Sequence, residues 1–292
     1  MKNTLKTEIR LAFHNRFFWA SFLLMTAFAL FGVLFMEISR EQGFQMWRNF
    51  RFDENGQPLQ TLFLPATSLY CKWLGGDAGQ FTTATFYFLV YLVCTVPFSW
   101  SLVSEKQSGY DAHMILSAGK GSYYLSKYIA SFLSGAFVVA VPLAVNFLLS
   151  ACFVPAFRPE SYADLYYGLS STYLWGDLYV TDPLLYVALY ILLAGIMAGM
   201  WATIGVSLAF VAQNRFVVMI CPYLVLLFFH VVWTNFAGSI LDVYVQASPI
   251  YFIIPRALGY NNNGWVILTW IGVILVFDVL VLKKKGMDAD VL

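Results

Sequence analysis

The sequence predicts an all-α membrane protein, and three observations carry that prediction. Hydrophobic residues make up 60% of the 292 positions and charged ones only 11%, with a mean hydropathy of +0.69, which is too apolar for the surface of a soluble globular domain. Six stretches reach the roughly 20 residues that a helix needs to cross about 30 Å of hydrocarbon. Those stretches, among them Phe132 to Phe153 and Leu184 to Phe210, are predominantly apolar throughout, without the in-out alternation of a transmembrane strand.

Residues 1–16 read as a helix lying on the membrane. Leu5, Ile9, Ala12, Phe13 and Phe17 recur at spacings of three and four, while Lys2, Asn3, Lys6 and Arg10 take the other face, the pattern of an interfacial amphipathic helix. The alternative is a basic flank for the first span. A cleavable signal is not expected, because the apolar run that follows is long and no small-residue cleavage site closes it. The predicted spans are 17–36, 82–102, 128–153, 183–210, 216–233 and 264–282, all within a single domain of 1–292.

The segments between spans differ in character. Residues 37–81 and 154–182 are predicted to be external and are longer than a simple connection needs. The first contains a hairpin signal at Asp53-Glu54-Asn55-Gly56, and the second is rich in aromatics, including Tyr162, Tyr166, Tyr173, Trp175 and Tyr179. Aromatic anchoring at the headgroup boundary and a gating cap are both open readings of it. Between spans five and six, Ile240 to Val245 and Ile250 to Ile254 are apolar runs interrupted by Pro249 and Pro255. They suit re-entrant helices whose ends are covered by protein, with an interfacial loop as the alternative. Gly195 and Gly199 form a G-x-x-x-G pair that lets another helix approach closely.

Charge orients the chain. Eleven of the 17 basic residues, Lys2, Lys6, Arg10, Arg16, Lys106, Lys120, Lys127, Arg215 and Lys283 to Lys285, fall on one side of the six-span layout. Positive residues are retained inside, so both termini are expected in the cytoplasm. The formal net charge of +1 hides this asymmetry.

The most informative polar stretch is residues 104–127, a cytoplasmic segment under this topology. Ile115, Leu116, Tyr123, Tyr124 and Leu125 are expected to pack on the bundle, with Glu105, Lys106, Asp111 and Lys120 facing water or a partner. Its order is Glu105-Lys106-Gln107-Ser108-Gly109-Tyr110, then Met114-Ile115-Leu116-Ser117, then Tyr124-Leu125-Ser126-Lys127. This order resembles the permease subunits of the ABC-2 family of ABC transporters, in which a Glu-rich turn with a glycine leads to a leucine-containing helix and a lysine that opens the third span. Two positions depart from that pattern: Tyr110 stands where threonine is common, and Ala118-Gly119 where proline is common.

The resemblance implies the transmembrane subunit of an ATP-driven exporter, forming the substrate path and working with two separate ABC ATPase subunits and a second or related permease copy. It implies that a helix around Glu105 to Ser117 docks on the ATPase, with Glu105, Lys106, Gly109, Asp111 and Leu116 as the coupling residues. It also implies a bacterial plasma membrane. ATP and magnesium would be held by the partner. No cofactor or metal is expected in this chain, since Ala118-Gly119-Lys120-Gly121-Ser122 lacks the spacing of a phosphate loop.

No catalytic residue is assigned. His14, His113 and His230 are the only histidines, and neither a metalloprotease nor a nucleophile-elbow motif is present. Nucleic-acid binding has no basic patch beyond the membrane flanks. A non-transporting sensor, immunity or scaffold subunit is the competing class. A secondary transporter would show midplane ionisable groups and internal repeats. Asp278, close before Lys283, is read as an inner-rim residue that snorkels or pairs.

Overall fold

The computed structural model describes residues 2–49, 68–76, 80–159, 174–237, 248–255 and 264–287, which form helices joined by turns and short irregular segments, with no strand among them. The expected hairpin at 53–56, the tyrosines between 162 and 173 and the apolar run at 240–245 lie outside the described residues. Helix α1 (Lys2–Phe13) leads through a two-residue turn into α2 (Arg16–Asn49). Asn15 makes that turn, its Oδ1 accepting from Phe17 N at 3.0 Å and its Nδ2 donating to the Pro97 carbonyl at 3.2 Å.

Then follow α3 (Leu69–Lys72), α4 (Phe81–Val93), α5 (Ser101–Ser108), α6 (Tyr110–Ala118) and α7 (Lys120–Ser150). After them come α8 (Gly176–Thr181), α9 (Pro183–Leu208), α10 (Arg215–Val232), α11 (Pro249–Phe252) and α12 (Gly264–Val281). Helices α10 and α12 each end in a π-helical turn, Trp233–Ala237 and Leu282–Met287.

Five helices, those holding α2, α7, α9, α10 and α12, are long and apolar enough to cross a membrane, as a multi-pass membrane protein requires. The predicted second span, 82–102, is not one continuous helix. Helix α4 has 13 residues, about 20 Å at 1.5 Å per residue, and residues 94–100 form turns before α5 begins. Pro97 stands in that break without an N–H to donate. Side chains from neighbouring helices hold the break together: Thr95 Oγ1 donates to the Met219 carbonyl at 2.7 Å, and Ser99 Oγ to the Ala202 carbonyl at 2.8 Å. Irregular backbone survives at this depth because protein, not lipid, covers it.

The centre of the bundle is the pair α7 and α9, which meet along a seam of small residues. Gly195 lies against Ala140, where an added Cβ would come within 3.0 Å, and Gly199 lies against Phe132, where it would come within 2.7 Å of the ring and 2.8 Å of the carbonyl. Gly135 repeats the arrangement from the α7 side, 2.7 Å from Ala202. Without a hydrophobic driving force in lipid, such close backbone approach supplies the van der Waals contact that holds the helices together.

At one end of the bundle two irregular segments are buried. Residues 68–76 fold inward, with Trp73 and Leu74 among the most buried side chains. Asn146 of α7 links them to α2, since its Oδ1 accepts from Leu74 N and its Nδ2 donates to the Ala29 carbonyl, both at 2.8 Å. Helix α11 is a single buried turn whose Pro249 carbonyl accepts from Tyr91 OH at 3.0 Å. His230 Nδ1 and Ser248 Oγ, 2.7 Å apart, tie it to α10. No disulfide joins Cys71 and Cys152: the first is buried with its Sγ 3.0 Å from Tyr179 OH, and the second is exposed.

Candidate functional site

The opposite end of the bundle gathers α1, α5, α6, the start of α7, the loop after α9 and the lysine-rich turn after α12. Its organising residue is Lys127, fully buried in the second turn of α7. The Lys127 ammonium pairs with Glu8 of α1, 2.6 Å from Oε2, and with Glu105 of α5. Tyr123, one turn earlier on α7, donates its hydroxyl to the other oxygen of Glu105. The ammonium also sits 4.8 Å from the centre of the Phe98 ring and 5.6 Å from that of Tyr123, within the range of cation–π attraction.

This geometry changes the reading of Glu105, which is turned into the protein and not toward water or a partner. The cause is electrostatic. A lysine buried in α7 requires a counter-charge, and Glu105, 22 positions earlier, is brought to it by the chain reversal at α5 and α6. Lys106 is also turned inward: its ammonium donates to the Ala209 carbonyl at 3.2 Å and lies 4.7 Å from the Phe210 ring centre. Burial lowers its pKa, opposed by the negative charge of Asp111. Beside it, Gln107 Nε2 donates to the Gln213 carbonyl at 2.7 Å. Asp111 Oδ1 accepts from Ala112 N at 2.8 Å, at the start of α6.

Glu8 is a partner that sequence patterning missed. It lies on the same stripe of α1 as Thr4 and Ala12, at spacings of four, and that stripe is the face α1 buries. Its carboxylate is fully buried with the Lys127 ammonium as its partner among the described residues. Burial raises the Glu8 pKa, and the proximity of Lys127 opposes that rise. A charged residue inside an apolar stripe was the only signal available, and it is informative only when a buried cation is known to face it.

The expected single helix over Glu105 to Ser117 is two helices. They break at Gly109, whose φ of 71° is left-handed, and α6 ends at Gly119 with a φ of 82°. Both positions sit in backbone that costs a residue with a Cβ about 1 kcal/mol or more. Between these breaks, α6 is amphipathic in an inverted sense. Ile115 packs inward with Tyr123 and Tyr124, whereas Leu116 is 87% exposed, and Leu125 is also exposed, so neither of these two leucines packs on the bundle as expected. Tyr110, the first residue of α6, is exposed, its hydroxyl pKa raised by partial burial and by the charges of Glu105 and Glu8.

Gly195 and Gly199 lie in the helix core, away from this end, and serve the α7–α9 seam. Asp278 of α12 does not snorkel. It turns into the bundle, where Ser207 Oγ donates to its Oδ1 at 2.5 Å and Tyr128 OH lies 2.7 Å from the same hydroxyl. No family model, no curated protein and no solved structure matches this chain.

Proposed function

We propose that this chain is the membrane subunit of an ATP-driven exporter resembling the ABC-2 permeases, coupled through α6 to a separate ATPase. The observation that carries the reading is the build of α6. It is a short helix bounded by two glycines of positive φ, with a large apolar side chain, Leu116, exposed at the basic end of the bundle. A singly exposed leucine is ordinary on a protein surface, but Leu116 has the highest exposure of any large hydrophobic side chain among the described residues and stands at the end that carries the lysines, which supports its use as a contact. Behind it, Lys127 and Tyr123 fasten α5 to α7 through Glu105, so a push on α6 would be delivered to the central helix and not dissipated in a loose loop.

The roles of the coupling residues divide accordingly. Leu116 makes the contact, Gly109 and Gly119 set the angle of α6, Asp111 starts the helix, and Glu105 and Lys106 secure its base. ATP and magnesium would be held by two ATPase subunits, and a second permease copy would complete the path. The breaks at 94–100 and the buried segments at 68–76 and 248–255 are where such a path could open, and re-entrant helices between the last two spans belong to this reading. The basic end would face the cytoplasm of a bacterial cell.

Purification of the full chain from its own membranes in mild detergent tests this. An ATP-hydrolysing subunit is expected to co-purify, with hydrolysis stimulated in the complex. Leu116→Asp should remove that subunit without altering the elution profile of the permease. A complex that holds no ATPase, or holds one that L116D leaves bound, overturns the reading; a bound partner without hydrolysis would favour the sensor or scaffold class.

A further inference from the structure

Between α7, α9 and α12 lies a cleft of about 240 Å³ that the export reading does not use. Tyr128 and Phe132 of α7, Met200 and Thr203 of α9, and Leu275 and Asp278 of α12 form its walls. The walls are carbon except for a few polar groups, and Asp278 is the one charged residue among them. It is 7% exposed and its carboxylate is oriented by Ser207, itself in contact with the Tyr128 hydroxyl. Among the described residues no lysine, arginine or histidine forms an ion pair with it. The lysines at 283–285, one to two turns further on, are exposed.

The mouth of the cleft opens toward lipid. Helix α12 is the least buried of the five long apolar helices, and Val276, Val279 and Leu280, which flank Asp278, are exposed on it. A carboxyl group held in such a wall without a cation favours a ligand that supplies one, and the carbon walls favour a ligand that brings apolar groups with it. A cation in water is excluded by those walls; an anion is repelled by the carboxylate.

We propose that this cleft binds a hydrophobic organic cation arriving from the bilayer, an ammonium carried on apolar groups, with Asp278 as its counter-charge. Binding requires only the cleft and stands whether or not the chain is an exporter. The Asp278 carboxylate, held from within the bundle by Ser207, is the group that meets the ammonium, and Phe132, Met200 and Leu275 take the apolar part.

The test is equilibrium binding of radiolabelled octyltrimethylammonium to the full chain in nanodiscs of zwitterionic lipid. Saturable binding is expected at one site per chain, weakened roughly tenfold or more by Asp278→Asn, the loss a removed counter-charge produces at a desolvated site. Octanesulfonate, with the same chain and the opposite charge, should not compete. Val279→Trp keeps the carboxylate and obstructs the mouth, so it should abolish binding even if D278N fails to fold. The proposal is overturned by non-saturable uptake alone, by competition from octanesulfonate, or by a V279W protein that binds as well as the wild type.

Discussion

Lys127 concentrates three energetic terms in one side chain, and their signs can be separated. Burying an ammonium is costly, and two carboxylates and two aromatic rings compensate for it. Breaking a buried pair by removing one partner costs far more than replacing the whole set, because the remaining charges are left without compensation. Lys127→Met would leave Glu8 and Glu105 facing each other across an apolar gap. We expect it to destabilise the protein by about 3–5 kcal/mol, toward the lower figure because Glu105 keeps some contact with water. The triple variant E8Q/E105Q/K127M should recover most of that loss. Hydrogen exchange reports the effect locally: α1 amides should lose protection in K127M and regain it in the triple variant. Equal protection in all three proteins would mean that α1 is held by Ala12, Phe13 and Ile9 alone.

At the level of helices, the seam between α7 and α9 makes the most demanding use of space. A Cβ on Gly199 would meet both the ring and the backbone of Phe132, and the carbonyl cannot move without shifting α7. Gly199→Leu is therefore expected to cost about 1–3 kcal/mol or more, the range for overpacking a tight core, seen as a lower unfolding temperature in detergent. Gly272→Leu is the control, because nothing lies within 4 Å of the position a Cβ would occupy on that lipid-facing helix. If G199L and G272L unfold together, the seam does not set the stability of the bundle.

The same comparison shows what was readable beforehand. Long helices were legible because span length and apolarity are properties of a continuous run, and α7, α9, α10 and α12 follow such runs closely. The break after α4 was not, because average hydropathy across 82–102 does not register that Pro97 lacks a donor or that Thr95 and Ser99 can bond to other helices. Glu105 was placed on the right segment but facing outward, since a glutamate beside a lysine and a glutamine is ordinarily solvated. Only its contact with Lys127, a relation between residues 22 apart, turns it inward. Glu8 and Asp278 share this limit: each is defined by a partner on another helix.

For the molecule as a whole, the bundle has two unlike ends, and their separation is itself a claim about topology. Exposed Lys6 and Arg10 of α1, Lys106, and the lysines at 283–285 are grouped with α6 at one end. At the other, Ser68 Oγ donates to the Phe157 carbonyl at 2.7 Å and Arg158 Nε to the Val180 carbonyl at 3.0 Å, joining segments that the sequence assigns outside. Helix α7 has 31 residues, about 46 Å, which exceeds the hydrocarbon thickness of about 30 Å, so it is long enough for its ends to emerge on opposite faces. If positive charge is retained inside, α6 is expected in the cytoplasm. Single cysteines at Leu116 and Ala156, both exposed positions, test this with Cys152 and Cys221 replaced by alanine. In right-side-out vesicles a membrane-impermeant maleimide should label A156C and not L116C, and in inverted vesicles the pattern should reverse. Labelling of both from one side would place α6 and the 154–159 segment on the same face, and neither the α7 crossing nor a cytoplasmic role for Leu116 would survive that result.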